Sequence, residues 1–345
     1  MSLSKTELLR AKLSAIIRSS VASVIMHDRW LRQLDRWIEV FEEHTFDAIQ
    51  GFSDLARELP PSIREDFRTV LKENKLSGNL SDNNAELDFD VGIVCARRVD
   101  ELRPVLDLMV DRTDISSDRE GRQDAFTFHE GWFRKSDQSL RVVAAAQHVM
   151  GMSDCASLCT KIVLRYRPRF LVMTGVAGGR SGKVNIGDII IAEEVFNYQA
   201  GKYTEAGFEP ACTPLRLDVG LHSRFADREQ AFAAEIAERW TDPHVRVPRI
   251  HIAPMACGAG IVDLRGAMEA ITDLNRNVVA VDMESYSVYR ACELARPHEG
   301  NPQTHPVVIK GIMDLTEEKS DAAKPFAAFA SAQYLYHFAL AEWSK

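Results

Sequence analysis

The sequence predicts an α/β fold in which helices pack on a mixed, largely parallel sheet, preceded by a small helical segment. From residue 88 onward, short β-branched and apolar runs alternate with segments of helical periodicity, the pattern of α/β proteins. Before residue 75, apolar residues recur at helical spacing. Residues 74–84 are polar and rich in turn-forming residues, so we place a domain boundary there, between residues 1–85 and 86–345.

The first segment, residues 1–85, is predicted to be helical throughout its apolar part. Leu9 and Leu13 begin one apolar face, and a second helix over residues 28–43 places Trp30 and Leu34 on another. A proline pair at 60–61 interrupts the pattern, which resumes over residues 62–72. Nothing in this segment suggests chemistry, so we expect it to dock on a protein partner or to mediate oligomerisation.

Residues 86–345 supply the sheet and the helices that cover it. Strands are predicted at residues 89–96, 140–146, 169–174, 187–195, 249–256, 277–283 and 306–313. Helices are predicted at residues 100–109, 153–166, 226–240, 264–274, 284–294 and 323–343. Because α/β folds bind ligands at the carboxyl ends of their strands, functional residues are expected where these strands end.

Composition excludes several classes of function. The 345 residues carry a net charge of -8 without a long basic run, which argues against nucleic acid or a membrane surface as partner. No apolar stretch of ~18 residues and no signal-peptide core is present, so we expect a cytoplasmic protein. The six cysteines are scattered without a zinc-binding spacing, so we expect reduced thiols and no bound metal.

A glycine-containing stretch dominates the α/β part. The apolar run that begins at residue 170 leads into Gly175, Val176, Ala177 and a glycine pair. Glycines allow a tight turn and a close approach of ligand to main chain, so this stretch predicts a strand followed by a ligand-binding cleft. Its spacing matches neither the dinucleotide fingerprint nor the phosphate-binding P-loop.

Carboxylates lie at three other strand ends. Asp100 and Glu101 follow the first strand, Asp282 and Glu284 follow the strand at 277–283, and Asp314 ends the last strand. One such residue is usually a helix cap, but together they could supply a general acid, a general base and a hydroxyl anchor. An apolar site can keep a carboxylic acid protonated near neutral pH, and Asp314 follows an apolar strand.

These motifs resemble the superfamily of nucleoside phosphorylases and nucleosidases, and within it the methylthioadenosine/S-adenosylhomocysteine nucleosidase branch. The matching segments are residues 91–96, 174–179, 187–189, 281–284 and 310–314, in family order. The resemblance covers residues 88–340 and leaves out the helical segment. It implies a three-layer α/β/α catalytic domain with a twisted central sheet, and a homodimer that completes its site across the subunit interface.

The resemblance implies hydrolysis of the N-glycosidic bond of a purine nucleoside, of adenine type, without metal or organic cofactor. It implies that Asp314 donates a proton toward N7 of the base and that Glu284 binds ribose hydroxyls. Met283 would pack against the sugar, and the Val262 backbone would bind the base. The remaining substrate-contacting positions implied are Asp282, Ile261, Gly175, Val176 and Ala177. Asp100 and Glu101 both remain candidates for activating water, and the longer side chain and the downstream match favour Glu101.

The nucleophile and the 5′ substituent stay open. Phosphorylases of this superfamily hold phosphate with an arginine and a hydroxyl, and the corresponding positions here are Met173 and Val176, which favours water. Arg97 and Arg98 are surface residues in one interpretation. In the other they hold a substrate phosphate, which would make the substrate a nucleotide, or they restore phosphorolysis. A further alternative is an effector whose nucleosidase part is gated by the helical segment.

Overall fold

The structure is a computed structural model that divides into two compact units, Met1–Glu86 and Leu87–Lys345. It describes residues 5–19, 24–43, 52, 55, 59, 61–73, 89–117, 123–241, 246–262, 266–295, 303–316 and 320–344. The predicted linker at residues 74–84 lies outside the described residues.

The first unit contains the helices α1 (Lys5–Ser19), α2 (Val24–Glu43) and α3 (Pro61–Glu73). The apolar positions that recur at helical spacing are the ones that pack together: Leu13, Leu34 and Phe67 are completely buried in one cluster. This unit therefore has its own hydrophobic core, built from the apolar face of each helix.

The second unit begins with β1 (Phe89–Cys95), a π-helical turn (Arg98–Leu102) and the short helix α4 (Arg103–Leu106). Its further strands are β2 (Val110–Ser117), β3 (Gln123–Lys135), β4 (Gln138–Ala146), β5 (Pro168–Gly179), β6 (Ile189–Asn197), β7 (Gly201–Thr204), β8 (Gly207–Pro210), β9 (Leu215–Arg216), β10 (Ile250–Cys257), β11 (Ala280–Asp282) and β12 (His305–Leu315). Its further helices are α5 (Met152–Tyr166), α6 (Val219–Asp227), α7 (Ala233–Glu238), α8 (Ala267–Leu274), α9 (Ser285–Leu294) and α10 (Lys324–Trp343).

The main sheet has the strand order β11-β10-β6-β12-β5-β1-β4-β3-β2, with β9 added beside β6. The pairs β4–β1, β1–β5, β5–β12, β6–β10 and β10–β11 are parallel, whereas β12–β6, β3–β4 and β2–β3 are antiparallel. The mixed α/β class predicted from the sequence is confirmed.

The sheet closes on itself, which the sequence did not predict. β11 pairs with β10 on one side and, antiparallel, with the end of β5 on the other, so β5, β12, β6, β10 and β11 form a ring. The closing contacts join Ala280 to Gly179 and Val281 to Gly178. The glycine pair is thus the end of a long strand, not a loop after residue 174. A Cβ at Gly179 would lie 2.6 Å from Val184 Cγ2, so only glycine fits at this corner.

Neighbouring residues of a strand pack into two hydrophobic clusters that different helices complete. Ile93 of β1 belongs to a hydrophobic cluster with residues of α6, α7 and α10, whereas its neighbour Val94 belongs to a cluster with residues of α5 and α9. This division follows from the alternation of side chains along a strand. At Gly311 the backbone of β12 approaches α10 so closely that an added Cβ would lie 2.1 Å from the Ala327 carbonyl oxygen.

Two predicted helices differ in the structure, and several strands were not predicted. Of the helix expected at residues 226–240, only residues 233–238 form a helix of their own, α7. Residues 226–227 end α6, and turns over residues 228–232 separate the two helices, with Phe232 at a φ of 69° directly before α7. The helix expected at residues 100–109 is the π-helical turn plus α4. The strands β2, β3, β7, β8 and β9 were not predicted. Of these, β2, β7 and β8 are largely exposed and lack a continuous apolar face. None of the described helices combines the length and apolar character that a bilayer crossing requires.

Candidate active site

The π-helical turn after β1 decides which of the two neighbouring acids faces inward. The Leu102 N–H donates to the Arg97 carbonyl at 3.0 Å, five positions earlier, so the turn is wider than an α-helical one. Within this turn Glu101 is buried and lines a cavity. Asp100 instead forms an ion pair with the Arg97 guanidinium at 2.6 Å and is not among the cavity-lining residues.

The Glu101 carboxylate is held by main-chain donors. It accepts hydrogen bonds from the N–H groups of Ala96 at 2.7 Å, Arg97 at 3.1 Å and Val176 at 3.0 Å. Gly175 makes room for it: its φ is 151°, and an added Cβ would lie 2.5 Å from Glu101 Cδ. Gly175 therefore positions Glu101 and does not itself line the cavity.

Glu284 lies directly after β11 and is 4% exposed. Its Oε1 accepts hydrogen bonds from the Gly151 N–H at 2.8 Å and from the Gln147 side-chain amide at 3.2 Å. Its Oε2 lies 4.0 Å from the Lys310 ammonium nitrogen. The loop between β4 and α5 and the strand β12 thus fix the carboxylate. Gln147 and Gly151 carry no motif that the sequence analysis could have recognised.

Asp282 has a mainly structural position at the start of α9. It accepts hydrogen bonds from the Ser285 N–H at 3.1 Å and from the Ser285 hydroxyl at 2.6 Å, which caps the helix. Its other oxygen lies 3.3 Å from the Lys310 ammonium nitrogen. Asp282 also lines the cavity, as the resemblance implied, but its visible partners belong to the protein.

Lys310 of β12 is completely buried among these carboxylates. Burial by itself lowers the pKa of Lys310, but Asp282, Glu101 and Glu284 together raise it above its ordinary value. Burial raises the pKa of Glu284 to about 7, an effect that Lys310 opposes and Asp282 increases. Glu284 can therefore change its protonation state near neutral pH.

Asp314 is completely buried at the end of β12, where the pairing with β5 shifts register between Ile312 and Asp314. Such a β-bulge changes the direction of the side chains that follow it. As a result both Met313 and Asp314 line the cavity, although they are neighbours on a strand.

One cavity of about 490 Å³ brings most of the predicted site residues together. Those that line it are Arg97, Glu101, Val176, Ala177, Ile261, Val262, Asp282, Met283, Glu284 and Asp314. Asp100, Arg98 and Gly175 are not among the lining residues, and Arg98 is exposed. Lining residues that sequence reasoning missed are Ala96, Met150, Gly178, Gly260, Val281, Met313, Ser320, Asp321 and Lys324.

The walls of the cavity differ in character. Valine, alanine and methionine side chains form an apolar surface that suits the faces of a planar base and a sugar. Glu101, Glu284 and Asp314 supply carboxyl groups for hydroxyl binding and proton transfer. Arg97 and Lys324 add two cations. Among the described residues, no cluster of three or more histidines, cysteines or acids is arranged to hold a metal ion.

Asp188, part of one of the segments that carry the family resemblance, lies outside this cavity. It is completely buried, is hydrogen-bonded to His251 Nε2 at 3.0 Å, forms an ion pair with Arg246, and accepts the Asn185 N–H at 2.9 Å. Burial by itself raises the pKa of Asp188, but these hydrogen bonds and the charge of Arg246 hold it below its usual range. Asp188 thus connects the loop before β6 to the start of β10 and the residues that precede it.

Comparisons with known proteins identify the family. Residues 90–330 match the family model of the phosphorylase superfamily. An ATP nucleosidase of Escherichia coli is 26% identical over 224 residues, which are 59% of this chain and 43% of that protein. A methylthioadenosine/S-adenosylhomocysteine nucleosidase of Bacillus cereus is 23% identical over 228 residues, 64% of this chain and 88% of that enzyme.

Solved structures share the fold. A methylthioadenosine/S-adenosylhomocysteine nucleosidase of Neisseria meningitidis superposes with a TM-score of 0.55 at 19% identity, over 73% of this chain and 99% of that one.

An uncharacterised protein of Sinorhizobium fredii is a further relative by sequence. It is 28% identical over 192 residues, which are 53% of this chain and 45% of that protein. The chain therefore spans less than half the length of the Sinorhizobium and Escherichia relatives it matches.

Proposed function

Because the chain belongs to the phosphorylase superfamily, we propose that its second unit hydrolyses the N-glycosidic bond of a purine nucleoside and releases the free base. One observation carries the proposal: Glu101, Glu284 and Asp314 converge on a single cavity of about 490 Å³ with an apolar wall. The named relatives, an ATP nucleosidase and a methylthioadenosine/S-adenosylhomocysteine nucleosidase, both support an adenine-type base.

The proposed reaction has an oxocarbenium-like transition state, so the leaving base must be protonated and the ribose must be bound in a fixed position. Asp314 donates a proton toward N7 of the purine. Its complete burial at the end of β12 suits this role, because an apolar site can keep a carboxylic acid protonated. Glu284 accepts hydrogen bonds from the ribose hydroxyls, Met283 packs against the sugar, and the Val262 backbone contacts the base. All four of these residues line the same cavity.

Glu101 activates the attacking water in this proposal. Its three main-chain donors fix the carboxylate, and the remaining lone pairs can accept a proton from water. The same contacts argue against phosphorolysis, because backbone N–H groups that could bind a phosphate nucleophile already donate to Glu101. Val176 offers no hydroxyl in their place. Phosphate-dependent release of a sugar 1-phosphate would instead identify a phosphorylase.

The first unit is proposed to be a docking or oligomerisation segment that is not needed for chemistry. Its core is self-contained, and the carboxyl groups assigned to the reaction all lie within Leu87–Lys345. Removing residues 1–86 should leave turnover intact while changing oligomeric state or partner binding. A truncated protein with unchanged assembly and no lost partner would contradict the docking role.

The proposal is tested by incubating the protein with adenosine, methylthioadenosine, S-adenosylhomocysteine, AMP and ATP, with and without phosphate. Free base is measured by chromatography. Asp314→Asn should lower the rate by about 10²- to 10⁴-fold, the range for losing a general acid. Asp107→Asn is the matched control, because Asp107 lies outside the cavity, is exposed, and forms an ion pair with the exposed Arg103. No release from any substrate, or an unchanged Asp314→Asn rate, would contradict the proposal.

A further inference from the structure

One edge of the cavity is ionic. Arg97, which follows β1, and Lys324, the first residue of α10, both line it. Asp100 joins them, because its Oδ2 forms an ion pair with the Arg97 Nε at 2.6 Å and lies 3.9 Å from the Lys324 ammonium nitrogen. Asp321 lies 3.0 Å from the same nitrogen. We propose that this ionic edge binds the 5′-phosphate of a purine nucleotide, an inference that rests on the function proposed above.

Lys324 is placed where an anion is expected. Its side chain is only 17% exposed, so its charge has lost most of its hydration and requires a counter-charge. It also stands in the first turn of a 20-residue helix, whose N-terminal end repels cations. Asp100 and Asp321 supply the anions that a lysine in this position requires, and an anionic ligand can take the place of one of them. The helix end and the ammonium group attract the same negatively charged ligand.

The two aspartates have different parts in this arrangement. Asp100, 30% exposed, contacts both cations and holds Arg97 and Lys324 on one side of the cavity. Asp321 is 79% exposed, so its ion pair with Lys324 is weak and a phosphate can replace it at little cost. Ser320, which also lines the cavity, adds a hydroxyl beside this position. The edge thus has fixed cations and one exchangeable anion.

The ionic edge disfavours a neutral 5′ substituent. A thioether or methyl group placed there would strip water from Arg97 and Lys324 without replacing their hydrogen bonds. A phosphate could also come from solution as a nucleophile. That source is disfavoured because the main-chain donors beside the ribose position are bound to Glu101. The two sources of phosphate make different products and are separated by the experiment.

The experiment measures kcat and KM for AMP, ATP, adenosine and methylthioadenosine with wild-type protein and the variants Arg97→Met and Lys324→Met. Each variant should lower kcat/KM for AMP about 10- to 100-fold, chiefly through KM, the loss expected for hydrogen bonds to a charged group. The loss of kcat/KM for adenosine should be clearly smaller than the loss for AMP. Arg98→Met is the control, because Arg98 is exposed and is not among the cavity-lining residues. Arg97→Lys and Lys324→Arg should restore part of the AMP activity.

The outcomes separate this inference from the function on which it rests. Base release from adenosine with wild-type preference for nucleosides over AMP would overturn the phosphate site and leave the nucleosidase proposal standing. Equal losses for AMP and adenosine in Arg97→Met and Lys324→Met would also overturn it. Release that depends on added phosphate and yields a sugar 1-phosphate would assign the cations to a free phosphate. No base release from any compound would remove the proposed function itself.

Discussion

Replacing Lys310 by methionine tests whether its positive charge stabilises the buried carboxylates beside the cavity. The Lys310 ammonium group is completely buried, 3.3 Å from Asp282 and 4.0 Å from Glu284. Removing one partner of a buried ion pair typically costs about 3–5 kcal/mol, because the remaining charge stays buried. Since Glu284 has a pKa of about 7 and can take up a proton to relieve the repulsion, we expect a loss near the lower limit, about 3 kcal/mol.

This loss is large enough to measure by heating. In a domain of roughly 250 residues, 1 kcal/mol shifts the melting temperature by about 2–4 °C, so Lys310→Met should melt about 6–12 °C below wild type. Circular dichroism of both proteins at pH 7 gives the values. Lys183→Met serves as the control, because Lys183 is exposed and should melt with the wild type.

The same substitution should change the pH dependence of the reaction. Lys310 lowers the pKa of Glu284, so its removal should raise that pKa further and move the midpoint of the kcat/KM profile to higher pH. Combining Lys310→Met with Asp282→Asn should recover part of the lost stability, since one of the unbalanced carboxylates is then gone. A Lys310→Met protein that melts within about 2 °C of wild type and keeps its pH midpoint would refute this reasoning.

Three further outcomes follow from the site. The pKa of Glu284 is raised to about 7, so this residue is protonated below that pH and ionised above it. Because the ionised form is the one that accepts hydrogen bonds from ribose in the proposal, kcat/KM should rise through about pH 7. Glu284→Gln should remove this rise, and a flat wild-type profile would contradict the assignment. Glu101→Gln should lower kcat about 10²- to 10⁴-fold with KM little changed, and a loss confined to KM would argue against water activation. Gly175→Ala should displace Glu101 and lower activity at least about 10-fold. Gly182→Ala is the control, because Gly182 also has a positive φ but an added Cβ there would have no atom within 4 Å, so only stability should change. Equal activities of the two variants would contradict the positioning role of Gly175.

The sequence located the cavity because its walls are strand ends. Val176, Glu284 and Asp314 each follow a run of apolar residues, and the carboxyl ends of neighbouring parallel strands meet at one edge of a sheet. The ring closure could not be found in the same way. It depends on the pairing between β11 and the end of β5, which are about a hundred residues apart in the sequence. A local sequence pattern cannot predict a contact between such distant residues.

The acids after β1 show a second limit of sequence reasoning. The sequence kept both Asp100 and Glu101 as candidates and favoured Glu101 only for its longer side chain and the downstream match, because a helix predicted over residues 100–109 does not say which residue faces inward. The π-helical turn adds one residue to the turn and so rotates Glu101 into the cavity. Lys324 was missed although a signal existed, since a cation in the first turn of a long predicted helix opposes the helix dipole.

Two groups of charges contribute to the cavity. In the first, Lys310 balances Asp282 and Glu284, and this lets a carboxylate remain available for ribose hydroxyls. In the second, Asp100 contacts both Arg97 and Lys324. A nucleotide carries hydroxyl donors on its ribose and negative charge on its 5′ oxygens, so under the two proposals above the first group binds the ribose and the second binds the phosphate. Because salt screens exposed charges more than buried ones, added salt should weaken AMP binding through the half-exposed Arg97 more than it changes the charge balance at the buried Lys310.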